Sequence, residues 1–236
     1  MAGFQTHLTT ASVAGGMAAA VLLIAGAASP GVAGLCFFAA VLGGLAPDLD
    51  APDSTPLRLA FTAAGGGLAF LAIAALADHW SLAELTLLGG GIFLFTRDGL
   101  RRLFVRFTEH RGVFHSLPAV VLAGCLATLL GVAAGADPRF AWLAGGFFAG
   151  GYLTHLLLDE WTSLNIWSVQ PKSSLGGAIK LYSRHGPSTL LLYLAMVAAW
   201  WMTPPLSDSF SWDDAGKVVQ AVGGRLFPDG QWFILP

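Results

Sequence analysis

The chain has 236 residues and a formal net charge of -2; only 11% of its residues are charged and 55% are hydrophobic, whereas a water-soluble domain carries roughly 25% charged residues. This composition excludes an ordinary soluble domain and makes membrane lipid the first partner. The small negative charge and the lack of a basic face or basic-aromatic platform argue against direct nucleic-acid binding.

In chain order, apolar runs extend from Leu8 to Ala28, Gly31 to Ala46, Leu57 to Ala77, Leu82 to Thr96, Leu117 to Ala134, Phe140 to Leu158 and Ser188 to Met202. They lack the alternation of barrel strands, and lipid admits only helices or closed barrels, so the expectation is an all-α polytopic transmembrane bundle of about seven helices. Several runs fall short of the roughly 20 residues a spanning helix needs, which leaves tilt, local thinning or a re-entrant pair open. The first run has no Lys or Arg before it and is long for a signal-peptide core, so it reads as a span. Residues 1–203 read as a membrane-embedded domain and 204–236 as an exoplasmic or interfacial tail, with Trp212, Trp232 and Phe233 as interfacial aromatics. Cys36 and Cys125 lie inside apolar runs and read as small hydrophobes.

If each run crosses once, the connections alternate between two faces. One face then collects Arg58, Arg97, Arg101, Arg102, Arg106, Arg111, Lys172, Lys180 and Arg184, nine of the twelve basic residues. Arg139, Lys217 and Arg225 fall opposite, so the positive-inside rule predicts a cytoplasmic N-terminus. On the same face the threading gathers His7, Asp48, Asp50, His110, His115, His155 and Asp159.

His155 and Asp159 stand four apart near a helix end, so their side chains stack on one face and can share an ion. Gly146 and Gly150 form a GxxxG step, and Gly151 lies one turn before His155, which predicts tight packing of that helix on a neighbour. Asp48 and Asp50 occupy a Pro-flanked loop that can aim carboxylates inward or serve as a solvated turn. His110 and His115 bracket a bend at Gly112, and Ser116 is placed to cap the next helix. His7 gains weight only from the shared face. His79 and His185 read as surface residues, and Glu160 as either an accessory acid or an exposed helix-end carboxylate.

Imidazole and carboxylate suit zinc first, with manganese or iron as alternatives, in a site of one to three divalent ions; no HExxH motif points to a zincin protease. Asp48 or Asp50 would bridge metals or take the proton from attacking water. Arg111 is placed to clamp a phosphate, and Lys172 and Lys180 flank a Ser-Gly-rich stretch able to hold an anionic head group, although positive-inside signals explain the lysines as well. The reading is a metal-dependent hydrolase of an ester, with a lipid or lipid-linked phosphoester as the economical substrate. Two rivals are a transporter or metal permease, whose ionisable groups would mark an ion path, and a non-catalytic membrane regulator stapled by metal.

His7, the PDxD loop (Pro47, Asp48, Asp50), the HRGxxHS loop (His110, Arg111, Gly112, His115, Ser116) and HLLLDE (His155, Asp159, Glu160), in that order, resemble the LexA-binding, inner-membrane-associated metal-dependent hydrolases of the YdjM-like family. KSSLGGAIK, from Lys172 to Lys180, is similar to a segment of one branch, whereas Phe114 stands where the family pattern commonly has Thr. The resemblance covers His7 to about Lys180 and implies a multi-pass inner-membrane protein with a metal site. A looser likeness to zinc-dependent phospholipase C rests on the His155/Asp159 pair.

Overall fold

A computed structural model describes residues 3–50, 54–77, 79–107, 114–163, 180–182 and 186–224. Every regular element among them is helical: α1 (Phe4–Ile24), α2 (Pro30–Leu45), a 3-10 turn (Ala46–Asp50), α3 (Thr55–Leu76), α4 (Leu82–Leu94), a π segment (Phe95–Leu100), α5 (Arg101–Phe107), α6 (Leu117–Ala133), α7 (Pro138–Ser163), α8 (Gly186–Met202), α9 (Leu206–Ser209) and α10 (Trp212–Gly223).

Local chemistry sets the boundaries. Gly26 (φ 63°) and Gly135 (φ 85°) make the left-handed turns after α1 and α6, and Pro30 and Pro138 open the following helices. The Ser54 hydroxyl accepts the Leu57 N–H at 3.2 Å to start α3, and a capping box between Ser81 and Glu84 starts α4.

The seven apolar runs each coincide with a helix, and four stretches are long and apolar enough to cross a membrane: Phe4–Ile24, Pro30–Leu49, Thr55–Leu76 and Pro138–Thr162. The apolar helices α6 and α8 are shorter. Three helices were not foreseen. Helical structure continues through the π segment and α5, so the start of the Arg97 to Ser116 connection is not loop: Leu100, Leu103 and Phe104 recur at helical spacing among good helix formers. The tail carries α9 and α10; the Trp212 side chain, Trp232 and Phe233 lie outside the described residues.

The chain divides into two compact units, one from the described residues of Met1–Leu45 and His115–Pro236, the other Ala46–Phe114. In the first, α7 is central and packs against α1, α2 and α6, with α8 on α6. Its core is made of small side chains such as Ala11, Ala33, Cys36, Ala40 and Cys125, whereas Leu35, Phe38, Leu190, Leu191 and Trp201 are exposed. Large apolar groups outside and small ones inside are what lipid favours, because helices gain from close backbone approach and nothing from hiding leucine. Both cysteines are buried and free.

The α2–α7 contact shows how close that approach is. A Cβ on Gly151 would run into the Ala40 carbonyl, and one on Gly43 into the backbone of Phe148. The GxxxG expectation is corrected by one register: a Cβ on Gly146 or Gly150 would meet nothing within 4 Å, while Gly145 packs on α6 and Gly151 on α2. The spacing identified a small-residue helix, but the partners sit one residue to either side of it.

In the second unit, α3 packs against α4, the π segment and α5. Its outward residues Leu59, Phe70, Leu71 and Leu87 are again large and apolar.

Candidate metal centre

Three elements of the first unit bring four titratable side chains to one end of its bundle. His7 comes from the second turn of α1, His115 from just before α6, and His155 and Asp159 from the last turns of α7. All are buried, at 2%, 0%, 1% and 1% exposure respectively, where an unpaired carboxylate or imidazole is costly.

Asp159 is the centre of the group. Its Oδ1 lies 3.3 Å from His7 Nε2, and its Oδ2 lies 3.8 Å from His115 Nε2 and 3.9 Å from His155 Nε2. Neither oxygen has a hydrogen-bond partner among the described residues. The two longer separations exceed hydrogen-bond length, and all three are near the spacing of atoms that share one ion: ligands about 2.0–2.1 Å from a tetrahedral metal lie about 3.3 Å apart. One ligand atom from each of His115, His155 and Asp159 falls within 4.8 Å of the other two.

The protons are assigned by chemistry. His155 Nδ1 is 2.7 Å from the Gly44 carbonyl oxygen, which can only accept, so Nδ1 carries the hydrogen and Nε2 keeps the lone pair in the neutral ring. Gly44 is in the last turn of α2, where carbonyls lack an i+4 amide partner, and Gly151 holds α7 close enough for His155 to reach it. The His155 ring also stacks on His7 at 3.6 Å between centroids and 10° between planes, and meets His115 edge-on at 5.8 Å. A lone-pair nitrogen facing a carboxylate oxygen is repulsive unless a cation lies between, so the donor set fits a divalent metal.

Asp48 belongs to the other unit, half-buried in the 3-10 turn, where its carbonyl accepts the Ser54 hydroxyl at 2.6 Å; the Asp50 side chain, His110, Arg111, Lys172 and His185 lie outside the described residues. Lys180 is described, and its carbonyl accepts the Leu117 N–H at 2.9 Å, so its backbone caps α6 beside His115. That contact replaces the cap expected of Ser116, whose side chain makes no capping bond: Pro118 removes the amide at the second helical position. Glu160 is half-buried, and His79 is exposed in the second unit, in line with its reading as a surface residue.

Sequence reasoning missed the Gly44 carbonyl, since a backbone acceptor has no residue signature; the small-residue pattern GG at Gly43 and Gly44 was the available signal. It also missed the far end of the unit. There Arg139 Nη2 is 3.7 Å from Asp214 Oδ1, its guanidinium lies over the Phe210 ring at 5.7 Å, and Trp142 Nε1 donates to the Pro204 carbonyl at 3.0 Å. Arg139 precedes His155 by 16 residues, or roughly 24 Å of helix, so the His/Asp cluster and this basic site occupy opposite ends of α7.

Apolar helices long enough to span, and one buried His/Asp cluster among the described residues of the first unit, define a multi-pass helical membrane protein with a candidate metal centre. The chain belongs to the YdjM inner membrane protein family, whose model matches residues 1–221, which makes this an inner-membrane protein in a lipid environment. No curated protein and no solved structure matches it.

Proposed function

We propose that this protein is a metal-dependent hydrolase of the inner membrane, acting on an ester and by preference a lipid or lipid-linked phosphoester. The observation that carries the reading is Asp159: a buried carboxylate with three imidazole nitrogens at 3.3–3.9 Å and no hydrogen bond to either oxygen among the described residues. His115, His155 and Asp159 would hold the ion, zinc by preference; three protein ligands are the number that leaves a fourth position open in catalytic sites. When bound, such an ion supplies Lewis acidity to a phosphoryl or carbonyl oxygen and lowers the pKa of water toward roughly 7.

The chain's own groups divide the remaining work. Gly44 fixes the His155 tautomer, a contact of the kind that raises ligand basicity. His7 Nε2, 3.3 Å from the opposite carboxylate oxygen, would orient Asp159 or serve as a further ligand. Asp48, Asp50, His110, Arg111, Lys172 and Lys180 enter the reading from their sequence motifs, as further ligands, proton acceptor or phosphate clamps.

A panel of phosphodiesters and phospholipids tests this with purified protein, chelated and then resupplied with zinc or manganese. The proposal expects turnover that chelation abolishes, metal restores and Asp159→Asn removes. Fully metallated protein that turns over no ester would contradict it. A second reading, metal as a structural staple, is favoured by the near-complete burial of all four side chains. Under that reading chelation lowers the melting temperature and no turnover exists to lose.

A further inference from the structure

At the end of α7 away from the His/Asp cluster, α1, α7, α9 and α10 of the first unit surround a cavity of about 670 Å³. Its wall is mostly apolar, with Leu22 from α1, Leu143 from α7, Leu206 from α9, Val218 from α10 and Phe210 between the last two helices. Among the described residues Arg139 and Asp214 supply its charges. We propose that this cavity binds the acyl chain of a membrane phospholipid, whose ester carbonyl accepts a hydrogen bond from the Arg139 guanidinium.

The charge of Arg139 is met, but its hydrogen-bonding capacity is not. Its Nη2 lies 3.7 Å from Asp214 Oδ1 and its guanidinium lies 5.7 Å from the centre of the Phe210 ring, so a carboxylate and an aromatic face balance the cation. Neither takes up a donor: 3.7 Å exceeds hydrogen-bond length, and Nε is buried with no hydrogen-bond partner among the described residues. Asp214 instead turns its Oδ2 to the N–H and hydroxyl of Ser211, at 3.0 Å each, so the capping box of α10 holds the carboxylate short of the guanidinium. A buried donor left unmet is costly, and the Arg139 side chain, 38% exposed, is still open to a ligand. What is wanting is therefore an acceptor rather than a counterion. An anion would also face Asp214 and Asp137, whose Oδ1 accepts the Arg139 N–H at 2.9 Å. An uncharged carbonyl oxygen meets no such repulsion.

Depth makes lipid the source of that carbonyl. The stretch Pro138–Thr162 has 25 residues, so it is about 38 Å long and overruns a hydrocarbon core of about 30 Å. Arg139, its second residue, therefore sits at the interfacial level where phospholipid ester carbonyls lie, and Leu143 one turn deeper, where acyl chains begin. Leu22 belongs to the last turn of α1, another stretch long enough to span. Leu206 in the wall, and Leu23 and Ile24 next to Leu22, are exposed, so the rim is continuous with the apolar surface that faces lipid. The volume falls within the roughly 300–1,000 Å³ of small-ligand cavities, and an apolar wall with a few polar groups is the lining such sites share. The Arg139–Asp214 pair by itself is a clamp between α7 and α10, and a clamp requires no cavity beside it.

Photolabelling of the purified full-length protein in neutral detergent decides it, with phosphatidylethanolamine carrying a diazirine in its acyl chain and mass spectrometry of the labelled peptides. Label should concentrate between Arg139 and Leu143 and between Leu206 and Val218. Excess diacylglycerol, which keeps the ester carbonyls and lacks the phosphate, should displace it, and excess palmitate, a carboxylate, should not. Ala215 is exposed in the cavity wall, so Ala215→Trp fills the space and should cut this labelling at least tenfold, with labelling of α8 and metal content unchanged. Arg139→Lys keeps the charge opposite Asp214 but not the Nε donor and should weaken labelling several-fold; it decides the matter if the tryptophan variant does not fold. Label spread evenly over outward helices such as α3 and α8, palmitate competing as well as diacylglycerol, or wild-type labelling in either variant overturns the proposal. The assay reads lipid contact rather than turnover, so its failure leaves the hydrolase reading standing.

Discussion

His155 is tied to Gly44 by a 2.7 Å hydrogen bond from Nδ1 to a backbone carbonyl, so the nitrogen turned toward Asp159 carries a lone pair. This bond joins helix packing to metal chemistry: it exists only because α2 and α7 meet backbone to backbone. His155→Asn can keep the donor to Gly44 and has no atom in place of Nε2. It should leave the melting temperature of the metal-free protein within a few degrees of wild type and lower metal affinity by more than the roughly 10- to 100-fold that loss of an outer-shell partner costs. Unfolding curves and competitive chelator titrations report the two effects separately.

Gly151→Ala tests the crossing itself. The new methyl would meet the Ala40 carbonyl, which is backbone and cannot swing away, so the helices must part. Overpacking of this kind costs about 1–3 kcal/mol, and metal affinity should fall with it because the Gly44 acceptor moves. Gly150→Ala, facing open space one residue away, should be neutral in the same thermal and metal-binding measurements.

Much of the fold was legible because lipid leaves few alternatives: apolar runs bounded by glycine, proline and serine had to be helices, and each is one. The site was legible in part. His155 and Asp159 announced themselves by their four-residue spacing, and His7 and His115 by falling on the same face once the spans were alternated. The stacking of His7 on His155 and the role of Gly44 were not, since ring orientation and backbone acceptors leave no trace in residue identity. Ser211 and Asp214 carried a readable capping box that spoke for α10, yet the aromatic residues around it suggested only a tail on the surface.

Acid should release the metal. Imidazole binds a cation only when neutral, so protons compete with the metal for the three imidazoles around Asp159. Metal content after dialysis should fall as the buffer is taken from about pH 8 to about pH 5, with more than one proton taken up per ion lost. A release curve flat across this range would argue against histidine ligation.

At the far end of α7 the pH response has a local cause. Asp214 has its carboxyl held below the usual range by the Ser211 N–H and hydroxyl, with smaller help from Arg139 and Lys217. A depressed folded pKa stabilises α10 above the unfolded value of 3.8 and ceases to do so as pH falls through the lower, folded value. Ser211→Ala should remove the cap and speed hydrogen exchange in the first turn of α10 at pH 7, leaving α7 exchange near His155 unchanged.

The most direct test is elemental analysis of purified protein, comparing wild type with His115→Ala, His155→Ala and Asp159→Ala. The account predicts at least one equivalent of a divalent transition metal in wild type and its loss in all three variants while helix content is preserved. Wild-type protein that takes up no metal when supplied with zinc, manganese or iron, or variants that keep it undiminished, would contradict the assignment of Asp159 and its three imidazoles as a metal centre.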